Sequence, residues 1–291
     1  MADRNQLVGF DRLHGTEGTF SVAVCDMCLS GTTLPYLSET ELGPLYPTEY
    51  NAYAQPSNRI LRLASTVLYR SRYRRSLRQH PLSNIVGKQA RVLDVGGGRG
   101  DLAIMLEGSG AQVTNVEPSP DACREAERRG ITSHCGTISS FAATRPTLFD
   151  AVIFQHSLEH VPDPVLALQV AFDLLVNDGS LLVTLPNFGS AQSEAFKSHW
   201  FHLDLPRHRT HFTTRGLIAV LENSGFGDIV VSTSTSPDGL TMSKHYLRNG
   251  SAPSRLRTRL ALATKGILFS PLTARSRYRG DILHASARKS K

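Results

Sequence analysis

The chain is short of three things: cysteine, tryptophan and long apolar runs. It has 4 cysteines and 1 tryptophan in 291 residues. No stretch approaches the ~20 consecutive apolar residues of a membrane-spanning helix. The cysteines (Cys25, Cys28, Cys123, Cys135) are too few for a disulfide framework in a chain of this size. The opening MADRNQLVGFDRLHG carries charges where a secretory signal needs an apolar run, so a cytoplasmic protein is expected. Aromatics are only 7% of residues, yet 40% are hydrophobic and 20% charged, enough to bury a real core and to exclude wholesale disorder.

Acidic residues are missing from one long stretch. Residues 50–93 hold nine Lys/Arg and no Asp or Glu, and residues 242–291 hold twelve bases against Asp281 alone. Residues 1–49 and 94–241 carry net charges of −5 and −8. The overall +7 therefore belongs to two basic flanks around an acidic middle. Basic surface concentrates anionic partners at long range and implies nothing about fold. Within SNRILRLASTVLYRSRYRRSLRQH (57–80), Ile60, Leu63, Ala64, Val67 and Leu68 share one helical face, and Pro81 stops the pattern. Two readings stand: an amphipathic helix with a solvated basic face, or an interfacial helix touching anionic lipid. Nucleic-acid binding is not expected, because interleaved aromatics are scarce.

What the chain does have begins near residue 90. ARVLDV (90–95), AQVTNVEP, ITSHCG, FDAVIFQ (149–155) and GSLLVTLP (179–186) are short apolar runs that predict strands. Between and after them DLAIMLEGSG, SPDACREAERRG, DPVLALQVAFDLLVNDG (163–179) and TTRGLIAVLENSGFG (213–227) predict helices that end in glycine. Strands spaced by helices require right-handed crossovers and a parallel sheet covered on both faces, a doubly wound α/β domain. DIVVSTSTS (228–236) and DILHASARK (281–289) predict two late strands. Between them, at about 240–280, lies a basic insertion with helical patterning over 255–272.

The strongest chemical signal is Asp94-Val95-Gly96-Gly97-Gly98-Arg99-Gly100, directly after a strand and opening a helix. Glycines let the backbone turn sharply and approach a ligand that a Cβ would push away. Gly97 and Gly136 are expected to serve plain turn geometry. Glu117 ends the next strand, at the distance for gripping both hydroxyls of a ribose. A dinucleotide fingerprint wants a third glycine where Asp101 stands, and that charge would face a pyrophosphate.

The acid-x-G-x-G-x-G spacing resembles the first motif of the class I S-adenosylmethionine-dependent methyltransferases. FDAVIFQHSLEHVPDP (149–164) resembles the fourth-strand segment of the bacterial group that includes quinone-biosynthesis enzymes, and RHRTHFTTRGLIAVLENSGF (207–226) is similar to the run after their fifth strand. YPTEYNAY (46–53) resembles the tyrosine-rich stretch before their core. The resemblance implies a Rossmann-like, seven-stranded, mostly parallel sheet, with 228–236 and 281–289 as its closing antiparallel hairpin. It divides the chain into an N-terminal appendage (1–55), a basic helical segment (56–89) and a methyltransferase domain (90–291). It also implies S-adenosyl-L-methionine as cofactor, held by Asp94, Gly96, Gly98 and Gly100 on the methionine side and by Glu117 at the ribose. Thr137 and Ile138 would border the adenine, with Gln155 and His156 at the fourth-strand exit.

The reaction needs an aligned acceptor and, where a proton leaves, a base. His156, His160, His199, His202, His208 and His211 are available. The 207–212 segment resembles the "HEHLSYFS" run of sugar C-methyltransferases, which places the proposed base on His208. The glutamate of that run falls on Arg207, which favours O-methylation over carbon-acid chemistry and would suit a phosphate or carboxylate on the acceptor. A small anionic acceptor, such as a sugar nucleotide, glycan or quinone precursor, is expected. His160 and His211 read as structural. Trp200, Phe201 and Leu203 read as a pocket wall or as plain packing. The spacings His199-x2-His202 and His208-x2-His211 match no metal motif, and no metal is expected. Cys25-x2-Cys28 is half of a zinc knuckle, without a second pair; His14 is the one further ligand at hand. Cys123 and Cys135 read as small buried residues. Two other functions remain open: a nicotinamide-dependent oxidoreductase, and a catalytically silent fold that binds a membrane or partner through its basic arms.

Overall fold

The computed structural model describes residues 6–45, 89–252 and 279–290. The tyrosine-rich stretch 46–53, the basic segment 57–80 and the patterned stretch 255–272 lie outside the described residues. Strands β1 (Gln6–Gly9), β2 (Phe20–Val24) and β3 (Gly31–Leu34) come first, followed by a one-turn helix α1 (Glu39–Leu42). The alternating part runs β4 (Arg91–Val95), α2 (Asp101–Glu107), β5 (Gln112–Glu117), α3 (Pro120–Arg128) and β6 (Thr132–Cys135). It continues through α4 (Ile138–Ala142), β7 (Phe149–Gln155), α5 (Pro164–Leu174) and β8 (Leu175–Pro186). Then come α6 (Ala191–Phe196), the two-residue strand β9 (Thr210–His211), α7 (Thr214–Asn223), β10 (Phe226–Ser234), α8 (Pro237–Asn249) and β11 (Ile282–Lys289).

Seven strands make one sheet in the order β10-β11-β8-β7-β4-β5-β6. Pairing is parallel from β8 through β6, and β11 runs antiparallel between β8 and β10. The expected doubly wound sheet and its closing hairpin are both present. Strands with helices on both faces must be apolar on both, and β7 obeys: Ala151, Val152, Ile153 and Phe154 are all buried. One core packs α4, α5 and α7 on one face, and a second packs α2 and α3 on the other. The helices start where their caps stand. Ser119, Thr137, Asp163 and Thr213 each accept a backbone N–H from the first turn.

Three elements differ from expectation. The helix expected over 163–179 stops at Leu174, because the fully buried Leu175 pairs with Phe149 and starts β8. Helix α8 was not expected. Its Gly, Thr and Ser residues dilute the periodicity, but Ser236 caps it, and Met242 and Tyr246, four residues apart, bury one stripe. The N-terminal appendage is not self-contained. Its sheet, β1-β2-β3-β9, takes its fourth strand from Thr210–His211. Beneath that sheet Phe20 and Val22 pack with Trp200, Leu203 and Leu205. Of the two readings of Trp200 and Leu203, plain packing is therefore the one observed.

Candidate functional site

The carboxyl ends of β4, β5 and β7 meet at one edge of the sheet, where α/β folds bind ligands. Leaving β4, the chain bends at Gly96 with φ +71°, and a Cβ there would lie 2.5 Å from the Cβ of Ser157. Ser157 Oγ in turn donates to the Val95 carbonyl at 2.5 Å, so the loop after β7 is fastened to the bend. Gly97 is needed for more than a turn: its Cβ would collide with the side-chain oxygens of Asp94 and Asn115. Gly100 caps α2 in a left-handed conformation.

Glu117 faces this bend. It is 3% exposed, with Oε2 accepting the Gly98 N–H at 3.0 Å and Oε1 accepting the Ser119 N–H at 2.8 Å. Asn115, overlooked in the sequence, lies fully buried in β5 and donates from Nδ2 to the Gly98 carbonyl at 3.0 Å. An amide between the two buried valines of β5, two residues before Glu117 on the same strand, was the available signal.

Asp94 is the most informative group. It is 0% exposed, and neither carboxylate oxygen has a hydrogen-bond partner. Burial, with Glu117 and Asp101 nearby, pushes its carboxyl up to about 7. A buried, unsatisfied carboxylate is costly. The arrangement suits a ligand that brings a positive charge and hydrogen-bond donors, and it repels phosphate.

The other expected cofactor residues sit around the same edge. Thr137 Oγ1 caps α4 by accepting the Ser140 N–H, whereas Ile138 belongs to the core. Gln155 ends β7, and His156, with φ +55°, follows it on the exposed side.

A second cluster lies beside the loop after β7. Glu159 is buried, and neither of its oxygens has a hydrogen-bond partner. His156 Nδ1 and His208 Nε2 stand 3.6 and 3.9 Å from its Oε1. These two imidazoles and His160 hold the carboxyl near 2 against the opposing effect of burial. The backbone ties the pieces together, since Arg209 N–H donates to the Glu159 carbonyl at 2.8 Å. His208 Nδ1 is 2.9 Å from the His202 carbonyl and donates to it, which leaves the Nε2 lone pair facing Glu159. Burial and His160 push the His208 imidazole down to about 4. The His160 and His208 rings meet edge-on with centroids 4.6 Å apart. Glu159, His160 and His208 also bring one ligand atom each within 4.8 Å of the others, close enough to share a cation. This is not the histidine set considered from spacing, and Glu159 was not singled out as a site residue.

Arg207 corrects an expectation. It is 0% exposed and pairs bidentately with Asp11, at 2.7 and 2.8 Å, and with Asp204 at 2.6 Å. Its charge is consumed inside the protein and cannot meet an acceptor's phosphate. The two histidines read as structural make hydrogen bonds within the fold. His211 bonds Thr33 Oγ1 at 2.9 Å, and burial pushes its imidazole down to about 3. His160 Nδ1 bonds the Arg207 carbonyl at 3.0 Å. His202 ties to the buried Asp281 at 3.2 Å, and burial lowers the His199 imidazole. Cys123 is buried as expected but Cys135 is exposed.

The comparisons agree with this geometry. A family model described as a methyltransferase domain matches residues 64–231, more than half of the chain. A ubiquinone biosynthesis O-methyltransferase of Xanthomonas campestris pv. campestris (strain B100) is 36% identical over 104 residues, 34% of this chain and 44% of that protein. The chain thus matches less than half the length of that relative. A SAM-dependent methyltransferase from Archaeoglobus fulgidus superposes with a TM-score of 0.54 at 19% identity, over 77% of this chain and 94% of that one. Phosphoethanolamine N-methyltransferase 2 of Haemonchus contortus, solved with S-adenosyl-L-methionine, gives 0.53 at 16%, over 90% and 62%. The chain belongs to the methyltransferase-domain family, and its fold is that of the class I S-adenosylmethionine-dependent methyltransferases.

Proposed function

We propose that this chain transfers a methyl group from S-adenosyl-L-methionine to a hydroxyl of a small anionic acceptor. The observation that carries the cofactor assignment is the unpartnered, buried Asp94 carboxylate beside the glycine bend, with Glu117 one strand over. Asp94 would take the ammonium of the methionine part and the Glu117 carboxylate the ribose hydroxyls, with Gly96, Gly98 and Gly100 keeping the bend open. Thr137 and Ile138 would border the adenine, and Gln155 and His156 the exit of β7. When bound, the cofactor supplies a sulfonium-activated methyl group, the electrophile of the reaction. A nicotinamide dinucleotide fits poorly, because the Asp94 and Glu117 carboxyls line the bend where its pyrophosphate would sit and Asp101, paired with Arg129, takes the place of the third glycine.

His208 is the proposed base. Its neutral imidazole keeps Nε2 free to accept the acceptor's hydroxyl proton, and the Glu159 carboxylate would then face the imidazolium so formed. O-methylation is supported by the likeness to the ubiquinone biosynthesis O-methyltransferases. The basic flanks support an anionic acceptor, and Arg207 no longer does. The test is cofactor turnover against a panel of phosphorylated and carboxylated hydroxy compounds. With an accepted substrate, His208→Ala should lower kcat by about 10²–10⁴-fold while S-adenosylhomocysteine affinity stays unchanged. An unchanged kcat removes His208 from the reaction.

A further inference from the structure

The edge strand β6 ends in one thiol, Cys135, beside a second on α3, Cys123. Cys123 lies in the first turn of α3, 2% exposed, and its Sγ–H donates to the Glu117 carbonyl at 3.1 Å. The same carbonyl accepts the Gly136 N–H at 3.0 Å, and the Cys123 sulfur is 3.8 Å from the His134 carbonyl. The sulfur is thus bracketed by the backbone on both sides of Cys135, whose Cα pairs with that of Glu117. Cys123 packs against the backbone that flanks Cys135, and Cys135 is exposed.

Their environments differ. Burial, Cys135 and the carboxylates of Glu117 and Glu127 push the Cys123 thiol up to about 12. Cys135 is exposed and Cys123 is buried, so an oxidant in solution meets Cys135 first, and Cys123 is left to resolve the product from its place beside it.

We propose that Cys135 and Cys123 are an oxidation site for peroxides, and that their disulfide weakens cofactor binding. The Cys135 thiolate attacks a peroxide oxygen, the O–O bond breaks, and hydroxide leaves to take up a proton as water. The Cys123 sulfur then attacks the resulting sulfenic sulfur. The S–S bond forms, the S–O bond breaks, and the Cys123 proton departs with the hydroxide as a second water. Two thiols are oxidised and one peroxide is reduced. Closure removes the Cys123 bond from the Glu117 carbonyl and ties α3 to the strand end that leads into Gly136 and Thr137. The effect on affinity rests on the reading that Glu117 and Thr137 border the cofactor.

The test treats the full chain with hydrogen peroxide. Peptide mapping after alkylation reads the cross-link and separates it from any product at Cys25 and Cys28. Calorimetry then gives the Kd of S-adenosylhomocysteine for the reduced and oxidised forms. The expected result is a Cys123–Cys135 linked peptide and a Kd raised about tenfold, reversed by dithiothreitol. Cys135→Ser, a change at an exposed position, should keep the Kd of the reduced protein and lose its response to peroxide. A Cys135 sulfenic acid without the cross-link overturns the proposal, as does a cross-link that leaves the Kd unchanged. If the reduced protein binds no S-adenosylhomocysteine, the cofactor reading fails, while the map still decides whether the disulfide forms.

Discussion

Asp94 condenses the chemistry of the site into one titration. Its carboxyl sits at about 7 when folded, against an ordinary 3.8. The folded state therefore holds this proton more firmly than the unfolded state does. The stability this contributes is complete below about pH 4 and is lost as the pH rises through about 7. Asp94→Asn removes the titration. Thermal unfolding without cofactor should show wild type losing Tm relative to Asp94→Asn between about pH 5 and pH 7.5. Parallel profiles would mean that Asp94 titrates normally. The glycine bend, Asp94 and Glu117 were legible because close backbone approach admits few residue types. Gly97 was misread: what excludes a side chain there is the Asp94 and Asn115 oxygens folded against it, a contact that spacing cannot express. Arg207 was misread for a related reason. Its neighbour in sequence is the proposed base, but its partner Asp11 lies 196 residues away. Breaking a buried ion pair leaves its anions uncompensated. Arg207→Ala should therefore cost about 3–5 kcal/mol, read by urea denaturation.

At the scale of elements, the periodic and well-capped segments were the readable ones. Strand β7 is apolar on both faces and α3 begins at a Ser-Pro-Asp start, so pattern and packing agree. The end of α5 was lost because pairing with Phe149, not local propensity, decides where Leu175 goes. Glu159 and His208 come from two loops, far apart in sequence, that backbone and side-chain contacts such as the bond from the Arg209 N–H to the Glu159 carbonyl bring together. Strand β9, two residues long, has no signal in the sequence, yet it ties the appendage to the segment that follows His208. That tie has a measurable consequence. Trp200 is the sole tryptophan and is buried beneath the N-terminal sheet, so its fluorescence reports that junction. Its urea unfolding transition should coincide with the far-ultraviolet circular dichroism transition of the large sheet. A separate, earlier fluorescence transition would make the appendage an independent unit.

For the molecule as a whole, strand order and glycine bend place Asp94 and Glu117 at one sheet edge, with Asp101 beside them paired to Arg129 and Arg99, in a protein whose net charge is +7. The buried Asp94 carboxyl and the Glu117 carboxylate suit a ligand that brings hydrogen-bond donors. No helix among the described residues is long and apolar enough to cross a membrane. The most direct test is calorimetric titration of the full chain with S-adenosylmethionine and S-adenosylhomocysteine, beside Asp94→Asn and Glu117→Ala. Saturable one-to-one binding by wild type, weakened at least about tenfold in each variant, is the predicted result. Absence of binding, or equal affinity in all three proteins, would contradict the account.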